Sequence, residues 1–79
     1  MDTKTEYMVA RQLEDGTIIP LHWTAAHDDN ALEGIGFITA EFNSDEDIVA
    51  KQQRRPRTSK FVTLKAITSY EVIDNTAKV

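Results

Sequence analysis

The side chains that could carry out covalent chemistry in this sequence are few. The chain has no cysteine, so nucleophilic catalysis would have to pair a serine with a histidine. The candidates are Ser44, Ser59, Ser69, His22 and His27. Each serine lies where serine usually forms a turn or a helix cap, and none has the strand-to-helix setting of a nucleophile elbow. We therefore expect no catalytic residues and no enzymatic activity.

Metal and phosphate sites are not indicated either. His27, Asp28 and Asp29 group one imidazole with two carboxylates, but neighbouring residues rarely converge on one ion. A calcium loop over residues 29–40 would place alanine at two ligand positions. The run Gly34-Ile35-Gly36 lacks the third glycine of a phosphate-binding fingerprint. The sequence predicts no metal and no cofactor.

The most distinctive candidate for binding is the basic segment KQQRRPRTSK at residues 51–60. Five of its ten residues are cationic, although the whole chain carries a net charge of −4. Arginine presents a planar fork to phosphate oxygens, and a neighbouring aromatic ring can stack on a base. The residues that would contact nucleic acid or an acidic partner are Lys51, Arg54, Arg55, Arg57, Lys60, Phe61 and Lys65. The other interpretation is a solvated loop that neutralises acid elsewhere in the chain.

Charge is divided unevenly along the chain. Residues 1–50 hold eleven acids and two bases, a balance of −9, whereas residues 51–79 hold seven bases and two acids, a balance of +5. Such asymmetry indicates either an interaction surface of one sign or two regions that contact each other. The acidic residues that would contact a basic partner are Asp28, Asp29, Glu33, Asp45, Glu46 and Asp47.

These charges favour a non-enzymatic protein-interaction or regulatory module that acts through charged surfaces on a protein partner. The alternative is a small nucleic-acid-binding barrel that uses the basic segment at 51–65. The field of the acidic half would repel a phosphate backbone, and this counts against the alternative.

The length of 79 residues predicts one small domain, with residues 1–4 and 75–79 frayed. The composition is that of a globular protein, with 41% hydrophobic and 28% charged residues. No apolar run approaches the roughly 20 residues of a membrane span, and the N-terminal residues lack the apolar region of a secretory signal. We expect a cytoplasmic protein without membrane contact.

The clearest local structure is a hairpin near the N-terminus. EYMVARQL and TIIPLHWT flank Asp15-Gly16, which fits the two central positions of a type I′ turn. A two-residue loop would pair Leu13 with Ile18. The core face predicted from this register consists of Met8, Ala10, Ile19, Leu21 and Trp23. Pro20 lacks an amide donor, which places its strand at an edge or a bulge.

The stretch ALEGIGFITAEF is ambiguous. Leu32, Ile35 and Phe42 have helical spacing. Against a helix, Gly34 and Gly36 each cost about 1 kcal/mol in a helix interior. Because Ile38, Ala40 and Phe42 also alternate with polar residues, we favour a strand at 35–42.

Two interpretations of NSDEDIVAKQQRR remain open. Ser44 with Asp47 resembles a helix N-cap, with acids early and bases late along the segment. Alternatively, NSDED is the loop of a hairpin and IVAKQ its return strand, which is slightly favoured. Pro56 ends either element.

The last stretch, KFVTLKAITSYEVID, alternates and predicts two further strands after the RPRTS loop. The expected fold class is mainly β: a small antiparallel sheet curled into a partly open barrel, with about five short strands and at most one short helix, at 45–54. Because so small a sheet leaves its edges exposed, we also expect a homodimer formed through strand pairing.

Overall fold

The fold is mixed rather than mainly β. A computed structural model of the chain describes residues 2–73. Its elements are, in order, strands β1 (Asp2–Leu13) and β2 (Ile18–Pro20), a short 3-10 helix (His22–Thr24), helix α1 (Ala31–Gln53) and strand β3 (Ser59–Tyr70). The strands form an open antiparallel sheet in the order β2-β1-β3. The antiparallel sheet is confirmed, whereas the barrel, the five strands and the limit of one short helix are wrong.

The hairpin joins β1 to β2, but its loop differs from the predicted one. The Leu13 amide donates to the Thr17 carbonyl over 2.9 Å, and the Gly16 amide donates to the Leu13 carbonyl over 2.9 Å. Gly16 has a φ of 91°. This is a three-residue loop in which a left-handed glycine follows a type I turn. Ala10 therefore pairs with Pro20, one residue away from the predicted register.

The one-residue shift changes which side chains share a face. The Leu21 amide donates to the Val9 carbonyl over 2.9 Å, and Leu21 packs with the cluster around Val9. Met8 and Ala10 are buried as predicted. Ile19 is half exposed and Trp23 is 74% exposed, so their assignment to the core was wrong.

Residues 35–42 lie within α1, and the predicted strand was wrong. Ile35 is buried against Val9 and Phe61, and Ile38 and Phe42 pack against the same cluster. Burying such side chains stabilises the fold by about 1.5–3 kcal/mol each, which exceeds the roughly 1 kcal/mol that each glycine costs. Although α1 has 23 residues, neither it nor any other helix in the described part of the chain is long and apolar enough to cross a membrane.

The segment NSDEDIVAKQQRR, for which a helix and a hairpin were both considered, continues α1 as far as Gln53. The hairpin was wrong and the helical alternative is correct for this segment, but Ser44 and Asp47 lie in the middle of the helix and do not cap it. The helix ends at Gln53, because Arg54 adopts a left-handed conformation with a φ of 54°. The short helix expected at 45–54 is therefore the C-terminal part of a helix that begins at Ala31.

The chain after the loop forms one continuous strand instead of two. β3 pairs with the whole length of β1, from Asp2 opposite Tyr70 to Leu13 opposite Ser59. Of the ends that we expected to fray, residues 2–4 belong to this ladder, and residues 75–79 lie outside the described residues. β1 is thus the central strand, and α1 packs across one face of the sheet at Val9 and Phe61.

Candidate protein-binding groove

The basic segment folds against the acidic side of α1. Arg57 Nη1 lies 3.1 Å from Asp47 Oδ1, and Arg57 Nη2 donates to Asn43 Oδ1 over 2.9 Å. At the residue before Asp47, Glu46 Oε1 lies 3.0 Å from Arg11 Nη2. Two of the acids predicted to contact a basic partner are therefore bound to arginines of the same chain.

Phe61 belongs to the core. Its ring lies 5.2 Å from that of Phe42 in an edge-to-face arrangement, and the Arg11 guanidinium lies 4.5 Å from the Phe61 ring centroid. The Arg11 charge is thus held between an aromatic face and the Glu46 carboxylate. In the folded chain this ring packs internally and does not present a face to a nucleic-acid base.

The other predicted cations are exposed and do not form one patch. They are Lys51, Arg54, Arg55, Lys60 and Lys65. Within residues 2–73 none of them lies within ion-pair distance of a carboxylate. Three of them lie at the C-terminal end of α1. Lys60 and Lys65 are on β3 at positions of opposite parity, so their side chains lie on opposite faces of the sheet.

The acidic residues fall into two groups. Asp28 accepts a hydrogen bond from the Asn30 amide over 2.9 Å, and Asp29 accepts one from the Tyr7 hydroxyl over 3.1 Å. The hydrogen bond to Asp29, together with burial and the carboxylate charge, raises the pKa of Tyr7. Glu33 lies in the first turn of α1, and Asp45 is about 18 Å farther along the helix axis. The two groups therefore do not form one continuous acidic face.

An apolar groove of about 290 Å³ lies between the 3-10 helix and α1. Its floor consists of Leu21, Phe42 and Phe61, and its wall is Trp23. The Trp23 and Phe42 rings lie 6.0 Å apart at an angle of 47°. Although the indole lines this groove, it is 74% exposed.

The rim of this groove is acidic. Asp45, Glu46 and Arg11 all line it, and because Arg11 pairs with Glu46, the Asp45 carboxylate leaves the rim with a net charge of −1. Asp45 is exposed and has no ion-pair partner among residues 2–73. An apolar floor, an exposed indole and a carboxylate together suit a side chain with an apolar stem and a cationic head.

The sequence contained part of this site. Asp45 and Glu46 were predicted to contact a basic partner, and α1 places them three and four residues after Phe42, on one side of the helix. Trp23 was missed because the two-residue loop assigned it to the core. Glu14-Asp15-Gly16 also fits a three-residue loop with glycine in third place, so the sequence was compatible with both loops and did not decide between them.

The structure brings no catalytic group together among the described residues. Ser59 accepts a hydrogen bond from Arg11 Nη1 over 2.6 Å, and no hydrogen bond joins a serine to His22 or His27 in residues 2–73. No cluster of three metal-ligating side chains occurs in that part of the chain. A larger groove of about 490 Å³ lies at the tip of the hairpin, between the end of β1 with its loop and the start of β3, and no histidine is among its lining residues.

Comparison of the chain with protein-family models, with curated proteins and with solved structures gives no match. Its function is therefore argued from the chemistry of the groove itself.

Proposed function

We propose that this chain is a non-enzymatic protein-interaction module that binds a basic segment of a partner protein in the groove beside Trp23. The observation that carries the proposal is the 74% exposed indole next to an apolar floor and the Asp45 carboxylate, which has no ion-pair partner among residues 2–73. Tryptophan is the residue type most enriched among those that dominate binding energy at interfaces. Phe37 and Tyr70 are exposed as well, at 66% and 54%, but Trp23 is the more exposed ring and lines an apolar groove, which is where an amphipathic indole is useful for binding.

The groove suits one long cationic side chain of the partner. Its stem packs over Leu21 and Phe42, while its head lies between the Trp23 ring and the Asp45 carboxylate. Covering most of an indole removes about 100–200 Å² from water, or roughly 3–5 kcal/mol before the costs of association. A micromolar complex needs about 8 kcal/mol net, so this contact alone predicts weak binding, with a dissociation constant of about 1 mM or larger.

Trp23 is the only tryptophan of the chain, so its fluorescence reports binding directly. The probes are a peptide of alternating leucine and arginine and the same peptide with citrulline in place of arginine, which keeps the shape and removes the charge. We expect the arginine peptide to change the emission and the citrulline peptide to bind about three- to thirtyfold more weakly, because it lacks the cation–π contact and the ion pair.

Two variants with the same change of charge locate the binding site. Asp45→Asn removes the rim carboxylate, whereas Glu33→Gln removes an exposed carboxylate from the first turn of the same helix. The proposal predicts about fivefold weaker peptide binding for Asp45→Asn and no change for Glu33→Gln. Equal affinities for the two variants, or for the two peptides, would remove the basis for the groove.

The alternative function, nucleic-acid binding, is supported by the three cations at the end of α1. Lys51, Arg54 and Arg55 are exposed and have no carboxylate partner within residues 2–73. It predicts that a labelled single strand or duplex binds at low salt, and that log affinity falls with log salt at a slope of about −3. Replacing Arg54 and Arg55 by glutamine would then abolish binding. Nucleic-acid binding without peptide binding would favour this alternative over the groove.

A further inference from the structure

The outer edge of β3 carries backbone groups that point away from the sheet. The Phe61 amide donates to Asn43 Oδ1 over 2.8 Å, and the Phe61 carbonyl accepts from Asn43 Nδ2 over 2.9 Å. The backbone of Phe61 therefore faces away from β1. Because alternate residues of a strand direct their amide and carbonyl to the same side, the same direction holds for Thr63, Lys65, Ile67 and Ser69.

These four residues have no strand partner on that side within residues 2–73. β3 is the last strand of the sheet, and Asn43 covers its edge only at Phe61. The four side chains are not fully buried, and Ile67 is 63% exposed. Proteins usually protect an edge of this length with a proline, a bulge or several charges. Here the described edge from Thr63 to Ser69 carries a single charge, Lys65, and no proline.

We infer that β3 pairs antiparallel with β3 of a second copy, with the two-fold axis at Ala66. The two open sheets then join into one sheet of six strands. All four outward residues are used, with Thr63 opposite the partner's Ser69 and Lys65 opposite the partner's Ile67. Each such pair exchanges two hydrogen bonds, about eight in all.

Charge and length select this register over its neighbours. An axis at Lys65 would place that ammonium directly opposite the partner's Lys65, which is unfavourable. An axis at Ile67 would leave only three outward residues of β3 paired with β3 of the second copy. The axis at Ala66 avoids the lysine pair and uses the whole open edge.

The side chains suit the Ala66 axis as well. On one face of the joined sheet, Ala66 meets the partner's Ala66, a small pair that allows close approach, and Val62 meets the partner's Tyr70. Tyr70 is 54% exposed in the single chain, and aromatic rings paired with β-branched side chains stabilise antiparallel sheets. The axis is perpendicular to the sheet, so both copies of α1 lie on the same face.

The dimer does not depend on the groove beside Trp23. Asn43, which covers the edge of β3, and Asp45, which lies on the groove rim, are about 200° apart around α1. The open edge and the groove therefore lie on opposite flanks of the helix.

Two substitutions at Ile67 test the register, since both remove the same apolar side chain. Ile67→Glu places a carboxylate opposite the partner's Lys65, whereas Ile67→Lys places an ammonium there. We expect sedimentation velocity on the full chain to show a dimer of twice 8.9 kDa, with a dissociation constant at least about tenfold larger for Ile67→Lys than for Ile67→Glu at low salt. The ratio should approach one in high salt.

Other outcomes overturn the inference. An axis at Ile67 would weaken both variants equally by like-charge repulsion, and an axis at Lys65 would leave them alike because residue 67 then faces Thr63. A monomer at every concentration and salt would exclude the pairing altogether.

A pair of proline variants tests the edge by a second route. Ile67→Pro removes an amide from the open edge of β3. Thr5 on β1 is paired with Ile67, and its amide points to the opposite side of the β1–β3 pair. Thr5→Pro therefore removes an amide at the same level of the sheet but from the other edge. Circular dichroism tests whether each variant is folded. We expect Ile67→Pro to be monomeric and Thr5→Pro to remain dimeric. The same oligomeric state in both folded variants would contradict the inference, and the comparison of Ile67→Glu with Ile67→Lys applies even if the proline unfolds the chain.

Discussion

Replacing Asn43 with alanine removes the polar connection between α1 and β3. The Asn43 amide makes three side-chain hydrogen bonds, two with the backbone of Phe61 and one with Arg57. All three are partly buried. Alanine leaves the Phe61 amide and carbonyl without a partner and removes one acceptor from the Arg57 guanidinium.

The expected loss follows from these bonds. A backbone hydrogen bond contributes about 1 kcal/mol net and one to a charged group about 1.5 kcal/mol, so the three together contribute about 3 kcal/mol. Alanine is a better helix former than asparagine by about 0.5 kcal/mol, which offsets part of the loss. We expect Asn43→Ala to lower the free energy of unfolding by about 2–3 kcal/mol, a large part of the roughly 4–12 kcal/mol of a domain this size.

Urea unfolding followed by circular dichroism measures this effect. For a chain of this length, a loss of about 2 kcal/mol lowers the urea midpoint by about 2 M. The matched control is Ser44→Ala, the next residue on the same helix, which makes no side-chain hydrogen bond within residues 2–73 and gains a similar helix propensity. A difference between the two variants below about 0.5 kcal/mol would refute the reasoning. A double-mutant cycle with Arg57→Ala then assigns the share of the Arg57 bond.

Three further substitutions follow from the backbone and from the pKa of Tyr7, and urea unfolding measures all of them. Gly16→Ala should destabilise the chain by about 1 kcal/mol or more, because alanine is strained at a φ of 91°. The cause is the backbone conformation and not crowding, since the alanine Cβ would meet no atom within 4 Å beyond its chain neighbours. Gly34→Ala should stabilise it by about 1 kcal/mol, because that helical position is equally open and has no positive φ; a loss of stability there would contradict the helical assignment. Tyr7→Phe tests the raised pKa of Tyr7. The unfolded chain loses the Tyr7 proton near pH 10.0, before the folded chain does. The stability of the wild type should therefore fall as the pH rises from about 10 through the higher pKa of the folded chain, whereas the stability of Tyr7→Phe should lack this fall. Parallel profiles of stability against pH for the two proteins would exclude a raised pKa of Tyr7 in the folded chain.

Local features of the sequence were sufficient for several elements. Asp15-Gly16 between two apolar β-rich runs identified the hairpin, and Pro56 identified the end of the preceding element. The alternation that begins at Phe61 identified the last extended segment. Its division into two strands was wrong, because polar residues also fit an exposed part of one strand.

The hairpin register was decided by one backbone conformation. A two-residue loop and a three-residue loop can both place glycine after aspartate. Both are common in hairpins, so the local sequence does not separate them. Gly16 is the left-handed third residue of the loop, and this shift moved Leu21 beside Val9. It also left Trp23 beside Phe42 at the surface rather than in the core.

The sequence alone determined the hairpin, the loop before β3 and the separation of charge along the chain. Only tertiary structure decided that residues 31–53 form a helix, because the local cost of Gly34 and Gly36 was offset by burial of Ile35, Ile38 and Phe42 on a sheet formed from distant residues. Tertiary structure also brought Arg11 to Glu46 and Arg57 to Asp47, and left Asp45 beside the indole. Local preferences differ by about 1 kcal/mol per residue, whereas burial of one apolar side chain contributes about 1.5–3 kcal/mol and depends on residues far apart in the chain.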